Sequence, residues 1–141
     1  MGKVWEDAEV INEHDQSDAR AGKLPADKVR KVQLKALVDT GTTLLVLPEE
    51  LIKALGLEFQ RTVQSRMADG KLHKRTIWGP VKLRVHRREA IVEVMAAPPG
   101  VPALIGQIPL EGLDLLVDSR RQCLVPNPES PDPEMALMDA F

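Results

Sequence analysis

Residues 32–43 constrain the fold of this chain more than any other stretch. Val32-Gln33-Leu34-Lys35-Ala36-Leu37-Val38 alternates apolar and polar and then turns fully apolar. That is the pattern of a strand whose last residues are buried on both faces. The strand delivers a carboxylate, Asp39, followed at once by Thr40, Gly41, Thr42 and Thr43. An Asp left bare at such a point costs several kcal/mol unless it is paired or hydrogen-bonded. Gly41 permits a tight turn that a side chain would obstruct. Thr40 and Thr42 supply hydroxyls able to bond the nearby backbone.

The rest of the chain supplies short β segments around this loop. Residues 3–12 read as a first strand, and residues 12–27, polar with Gly and Pro, as a long surface loop. Strand 29–38 leads into Asp39, and Leu44-Leu45-Val46-Leu47 follows as a short buried strand. Pro48 to Gly56 reads as a short helix, with Glu49 and Glu50 at the positive end of its dipole and Leu51, Ile52 and Leu55 on its buried face. From 58 to 78 two strands flank Ala68-Asp69-Gly70-Lys71. Asp69-Gly70 predicts a two-residue type I′ turn, with positive φ at both central residues. Val81–Val85 and Ala90–Ala96 are further strands, with the basic residues around His86, Arg87 and Arg88 read as a solvated turn. Leu104-Ile105-Gly106 then reads as a buried strand with a tight turn, before a short helix, a strand to Asp118 and a last strand at Cys123-Leu124-Val125. Residues 127–141, acidic and rich in Pro, read as a disordered tail.

Composition excludes several classes of function. A chain of 141 residues suits one domain with one core. Its net charge of −2 points to neither nucleic acid nor an anionic membrane. Aromatic residues make up only 3% of it, with no Tyr, so stacking platforms for single-stranded nucleic acid are not expected. No apolar run reaches the ~20 residues of a membrane span. The first seven residues lack the apolar region of a signal peptide, which makes the cytoplasm the default location. The single Cys123 has no internal disulfide partner and reads as a packing residue. His14 and Asp15 lack further ligands at metal-binding spacing, so neither a metal nor a cofactor is expected.

Three segments, in order, resemble the retropepsin-like aspartic proteases. They are Val38-Asp39-Thr40-Gly41, the hairpin tip Ala68-Asp69-Gly70, and Leu104-Ile105-Gly106 followed by a short helix. The resemblance covers about residues 28–126 and implies a mostly β fold, a small closed β-barrel with one or two short helices. The Pro48–Gly56 helix is similar to an insertion common in bacterial members. Thr42 stands where retroviral members usually carry Ala. By resemblance, Asp39 is catalytic, Thr40, Gly41 and Thr42 complete its loop, and Ala68, Asp69 and Gly70 tip a flap over the substrate. Leu104, Ile105 and Gly106 form the second family motif.

The chemistry of that family needs two carboxylates sharing one proton. This chain has one Asp-Thr-Gly, and Asp118-Ser119 is followed by Arg120 rather than Gly. The second carboxylate then comes from a second copy across a two-fold axis. The resemblance thus implies a homodimeric endopeptidase acting on an extended peptide or unfolded protein. Two other readings stand beside it. One is a dimeric peptide-binding or scaffold module of the same fold that cleaves nothing. The other is an unrelated small β-barrel in which Asp39 caps a turn.

Overall fold

A computed structural model describes residues 2–140. The strands are β1 (Trp5–Asn12), β2 (Lys31–Val38), β3 (Leu45–Leu47), β4 (Glu58–Arg66), β5 (Leu72–Val85), β6 (Arg88–Ala96), β7 (Leu104–Ile105), β8 (Leu115–Asp118) and β9 (Cys123–Pro126). The α-helices are α1 (Glu13–Arg20), α2 (Glu49–Ala54) and α3 (Gln107–Leu113). Six strands form a ring in the order β1-β2-β7-β3-β6-β5. It closes because β1 pairs with β2 along one edge and with β5 along the other, with Val10 facing Val32 and Leu83 respectively. Closure removes the unpaired strand edges that would otherwise invite aggregation. The ring is mixed, since β2 runs parallel to β7 and β3 parallel to β6. The expected closed, mostly β architecture is therefore the one observed.

The interior follows from strand alternation. Val81, Leu83 and Val85 of β5 are essentially fully buried, while Lys82 and Arg84 between them face outward. Leu45, Leu47, Val94 and Ile105 complete the centre, and α2 and α3 add Ile52, Leu110 and Leu113 to the same cluster. Strand β4 pairs with β5 alone, so β4 and the first part of β5 project as a hairpin.

The hairpin turn departs from the predicted type I′. Gly70 N–H donates to Met67 O and Met67 N–H to Lys71 O, both at 2.9 Å. Gly70 has a φ of 83°, and Asp69 is not in the left-handed region. This is a three-residue loop in which a type I turn ends in a left-handed glycine. The Asp69 carboxylate accepts the Lys71 N–H at 2.9 Å, which favours that geometry. The two-residue turn with both φ values positive occurs instead at His86 and Arg87, with φ of 52° and 65°, between β5 and β6.

Helix α1 replaces the surface loop expected over residues 12–27. Asn12 caps it, its side-chain oxygen accepting the Asp15 N–H at 3.0 Å. The Asn12 amide also donates to Leu55 O at 2.8 Å, tying this cap to the end of α2. Asp15 is buried and accepts from the Arg30 backbone N–H, Nε and Nη2 at 3.0, 2.8 and 3.0 Å. Arg20 reaches Glu13 at 2.9 Å. The helix is held by polar contacts rather than by an apolar stripe.

Side chains of the body contact residues 133–137 of the tail. Arg88 is only 4% exposed. One of its terminal nitrogens donates to Leu113 O and Asp114 O at the end of α3, the other to Pro133 O and Met135 O in the tail. Asp114 adds a bond from the Leu137 N–H at 2.7 Å. A solvated role for Arg88 is therefore corrected: it is a buried latch between a helix end and the tail, held by four carbonyls.

The Asp15–Arg30 contact makes acid stability testable. The Arg30 side chain, above all through its hydrogen bond, holds the Asp15 carboxyl below its ordinary value, against the opposing effect of burial. A carboxyl depressed by folding contributes stability above its unfolded value, and loses it as pH falls through the folded value. Asp15→Asn is expected to cost about 1 kcal/mol at neutral pH, discounted for the half-exposed guanidinium. Its stability deficit should shrink below about pH 4. Urea unfolding at pH 7 and pH 3 measures both, and an equal deficit at the two values would exclude this role for Asp15.

Candidate active site

The geometry around Asp39 is built by two segments distant in sequence. Leu37 N–H donates to Ala103 O, and Asp39 N–H to Ile105 O, both at 2.9 Å, so β7 lies directly beside the end of β2. The other edge of β7 pairs antiparallel with β3, which begins just after the loop. The loop and the turn after β7 are then laced together. Gly106 N–H donates to Leu44 O at 3.1 Å, Gln107 N–H to Thr42 O at 2.7 Å and Ile108 N–H to Thr43 O at 2.9 Å. These bonds occupy the first N–H groups of α3, which lack partners within the helix.

Gly106 is the point of closest approach. A Cβ there would lie 2.4 Å from both Leu44 O and Thr42 O. Both obstacles are backbone atoms, so no rotamer change relieves the clash. The Leu104-Ile105-Gly106 motif thus has a physical content in this chain. Two apolar residues fill β7, with Ile105 fully buried in the core, and a glycine lets the Asp39 loop cross over it.

The Asp39 carboxylate is half-buried and oriented on both oxygens. Oδ1 accepts the Gly41 N–H at 3.0 Å, and Oδ2 accepts the Thr42 hydroxyl at 3.1 Å. Thr42 N–H closes the turn onto Asp39 O at 3.1 Å. The Thr42 hydroxyl, where retroviral members usually carry Ala, is used here to orient the carboxylate. Thr40 and Gly41 are exposed beside it.

The structure brings Asp39, Gly41 and Thr42 together with Leu104, Ile105 and Gly106. Ala68, Asp69 and Gly70 lie apart from them at the exposed hairpin tip, where the backbone bonds are internal to the hairpin. Asp118 is engaged elsewhere: its Oδ1 accepts the Arg120 and Arg121 N–H groups, closing the turn between β8 and β9. A half-open cleft of about 470 Å³ lies between α2 and the hairpin base, lined by Ile52, Leu57, Thr76, Trp78 and Ala96 among others, and does not include Asp39. Among the described residues, no group of three or more His, Cys, Asp or Glu is placed to hold a metal, and no helix is long and apolar enough to cross a membrane. The sequence reading missed Asn12, Asp15 and Arg88 as structural residues. Only the Asn12-to-Asp15 spacing, a helix cap, carried a local signal.

A family model described as aspartyl protease matches residues 27–109, more than half of the chain. The match spans the Asp39 loop, the hairpin and the Leu104-Ile105-Gly106 turn. Together with the ring-shaped mixed sheet, it places the chain in the retropepsin-like aspartyl protease family, to which it belongs. Members of that family typically dimerise. No curated protein matches the chain.

The crowding at Gly106 predicts an outcome that separates steric from chemical effects. Gly106→Ala should cost about 3 kcal/mol or more, because the loop crossing β7 has to shift as a unit. Gly70→Ala, in open space at the hairpin tip, should cost only about 1 kcal/mol, from its positive φ. Thermal unfolding of the two variants side by side tests this. Equal losses would show that the crossing tolerates a Cβ.

Proposed function

We propose that this chain is an aspartic endopeptidase, active as a homodimer in which Asp39 of each copy forms one half of the catalytic pair. The observation that carries this reading is the oriented Asp39 carboxylate. Gly41 N–H and the Thr42 hydroxyl each hold one of its oxygens, and Thr40 and Gly41 beside it are exposed. The described residues of one chain place no second carboxylate in hydrogen-bonding contact with it. A two-fold axis passing beside the loop supplies one, because a symmetric interface sets the same residue on both sides.

The reaction then follows from one proton shared by two like charges. The ionised Asp39 takes a proton from a water, whose oxygen attacks the carbonyl carbon of the scissile bond. The protonated Asp39 of the partner copy gives its proton to the carbonyl oxygen, and a tetrahedral diol forms. The diol collapses as a proton passes to the amide nitrogen and the carbon–nitrogen bond breaks. Thr42 and Gly41 act as positioning groups, fixing the carboxylate plane so that little reorganisation is left to the reaction itself. The Thr40 hydroxyls, exposed beside the axis, bond across it and hold the two loops in register. The hairpin tip Ala68-Asp69-Gly70, exposed and bonded only within the hairpin, closes over an extended peptide as a mobile lid. The cytoplasm is the proposed compartment.

Sedimentation tests the assembly: a dimer is expected at micromolar concentration, and a monomer at every concentration up to ~100 μM would leave no populated active state. Asp39→Asn tests the chemistry. The amide keeps the size of the carboxylate and one acceptor, so fold and dimer should persist. Cleavage of an unfolded protein at mildly acidic pH should fall by at least about 10²–10⁴-fold, since one substitution removes both carboxylates. Equal cleavage by variant and wild type would assign the activity to another group.

A further inference from the structure

The projecting hairpin concentrates basic residues, most of which lack an ion-pair partner among the described residues. Residues 61–75 hold Arg61, Arg66, Lys71, Lys74 and Arg75 against a single acid, Asp69. That is a net +4 within a chain of net −2, so all other residues together carry −6. Arg61 is neutralised by an ion pair with Glu93. Arg66, Lys71, Lys74 and Arg75 have no ion-pair partner among the described residues. The Asp69 carboxylate is already turned onto the Lys71 N–H.

Placement sharpens the point. Arg66 pairs with Leu72 and Gln64 with Lys74, which puts Arg66 and Lys74 on one face of the hairpin, with Lys71 at the tip. All three are exposed. Leu72, directly opposite Arg66, shares that face and is 54% exposed, and Met67, next to Arg66 in sequence, is 38% exposed. An exposed apolar residue beside unpaired cations matches a ligand of the complementary kind.

We propose that this hairpin selects the substrate, favouring extended peptide segments in which acidic residues flank apolar ones. The inference rests on the hairpin acting as the lid of the Asp39 site. Glutamate or aspartate side chains of the bound segment would pair with Arg66, Lys71 and Lys74, while its apolar residues cover Leu72. Cations on the lid also offset the negative charge at the Asp39 pair, which would otherwise repel an acidic segment. A nucleic-acid strand fits less well, because residues 61–75 contain no Phe, Tyr or Trp on which a base would stack.

The test uses two peptides identical around a central Leu-Met pair, one flanked by three Glu and the other by three Gln. Binding is read by fluorescence anisotropy on the full-length Asp39→Asn protein, which needs no catalysis, and kcat/KM on wild type. Wild type should favour the acidic peptide by about three- to thirty-fold in low salt, the range that a few exposed ion pairs supply. The preference should shrink toward unity in 0.5 M salt, where charges are screened within a few ångströms. Arg66→Gln/Lys74→Gln should lower the ratio of acidic to neutral peptide in both readouts. Equal binding of the two peptides, or a ratio unchanged in the double variant, overturns the proposal. So does a single-stranded oligonucleotide bound as tightly as the acidic peptide. Preferential binding without cleavage by wild type upholds the charge selection and removes only the protease reading.

Discussion

The crossing of the Asp39 loop over β7 is the contact on which the remaining structure depends. Three backbone bonds from residues 106–108 to carbonyls of residues 42–44 join the two halves of the chain at one point. Because β7 is flanked by β2 and β3, the same crossing sets the strand order of the ring and the position of the carboxylate. The geometry of the Asp39 loop and the strand order of the ring are thus one constraint rather than two. The absence of a side chain at Gly106 is the atomic condition for both. A site built on regular strands in this way is held more tightly than one resting on a free loop.

Around this apolar frame the chain fastens its periphery with buried polar groups. Asn12 joins the start of α1 to the end of α2, Asp15 fixes Arg30, and Arg88 joins α3 to the tail. Each is nearly inaccessible, and each is satisfied by several partners, which offsets the cost of removing it from water. Polar latches of this kind are directional where apolar packing is not. They define where helix and tail sit on a surface that offers little apolar area to hold them.

Legibility of the fold in the sequence followed the range of the interactions involved. Alternation along Val81–Val85 and the apolar runs at 36–38 and 44–47 announced β5, β2 and β3, because each pattern is complete within a few residues. Helix α1 escaped that reading, since its inward positions are Glu13 and Asp15 and no apolar period exists. Arg88 escaped for a different reason: its partners lie 25 and 45 residues further on, and nothing near it distinguishes it from the exposed Arg87. The hydroxyl of Thr42 is three residues from Asp39, and its contact is legible from local turn chemistry. The role of Gly106 depends on atoms more than sixty residues away, and resemblance to a family was the only signal for it before the structure placed Thr42 and Leu44 against it.

Strand β1 lies outside residues 27–109, the part that the family model spans, yet it supplies both seams that close the ring. The unit defined by shared ancestry and the unit defined by physics therefore do not coincide in this chain. A fragment trimmed to the family boundaries would present the bare backbone edges of β2 and β5 to solvent, and would lose Val10 from the centre of the barrel. Such edges pair readily with one another in neighbouring molecules. Self-association of the trimmed fragment would then have nothing to do with the two-fold assembly proposed for the Asp39 site.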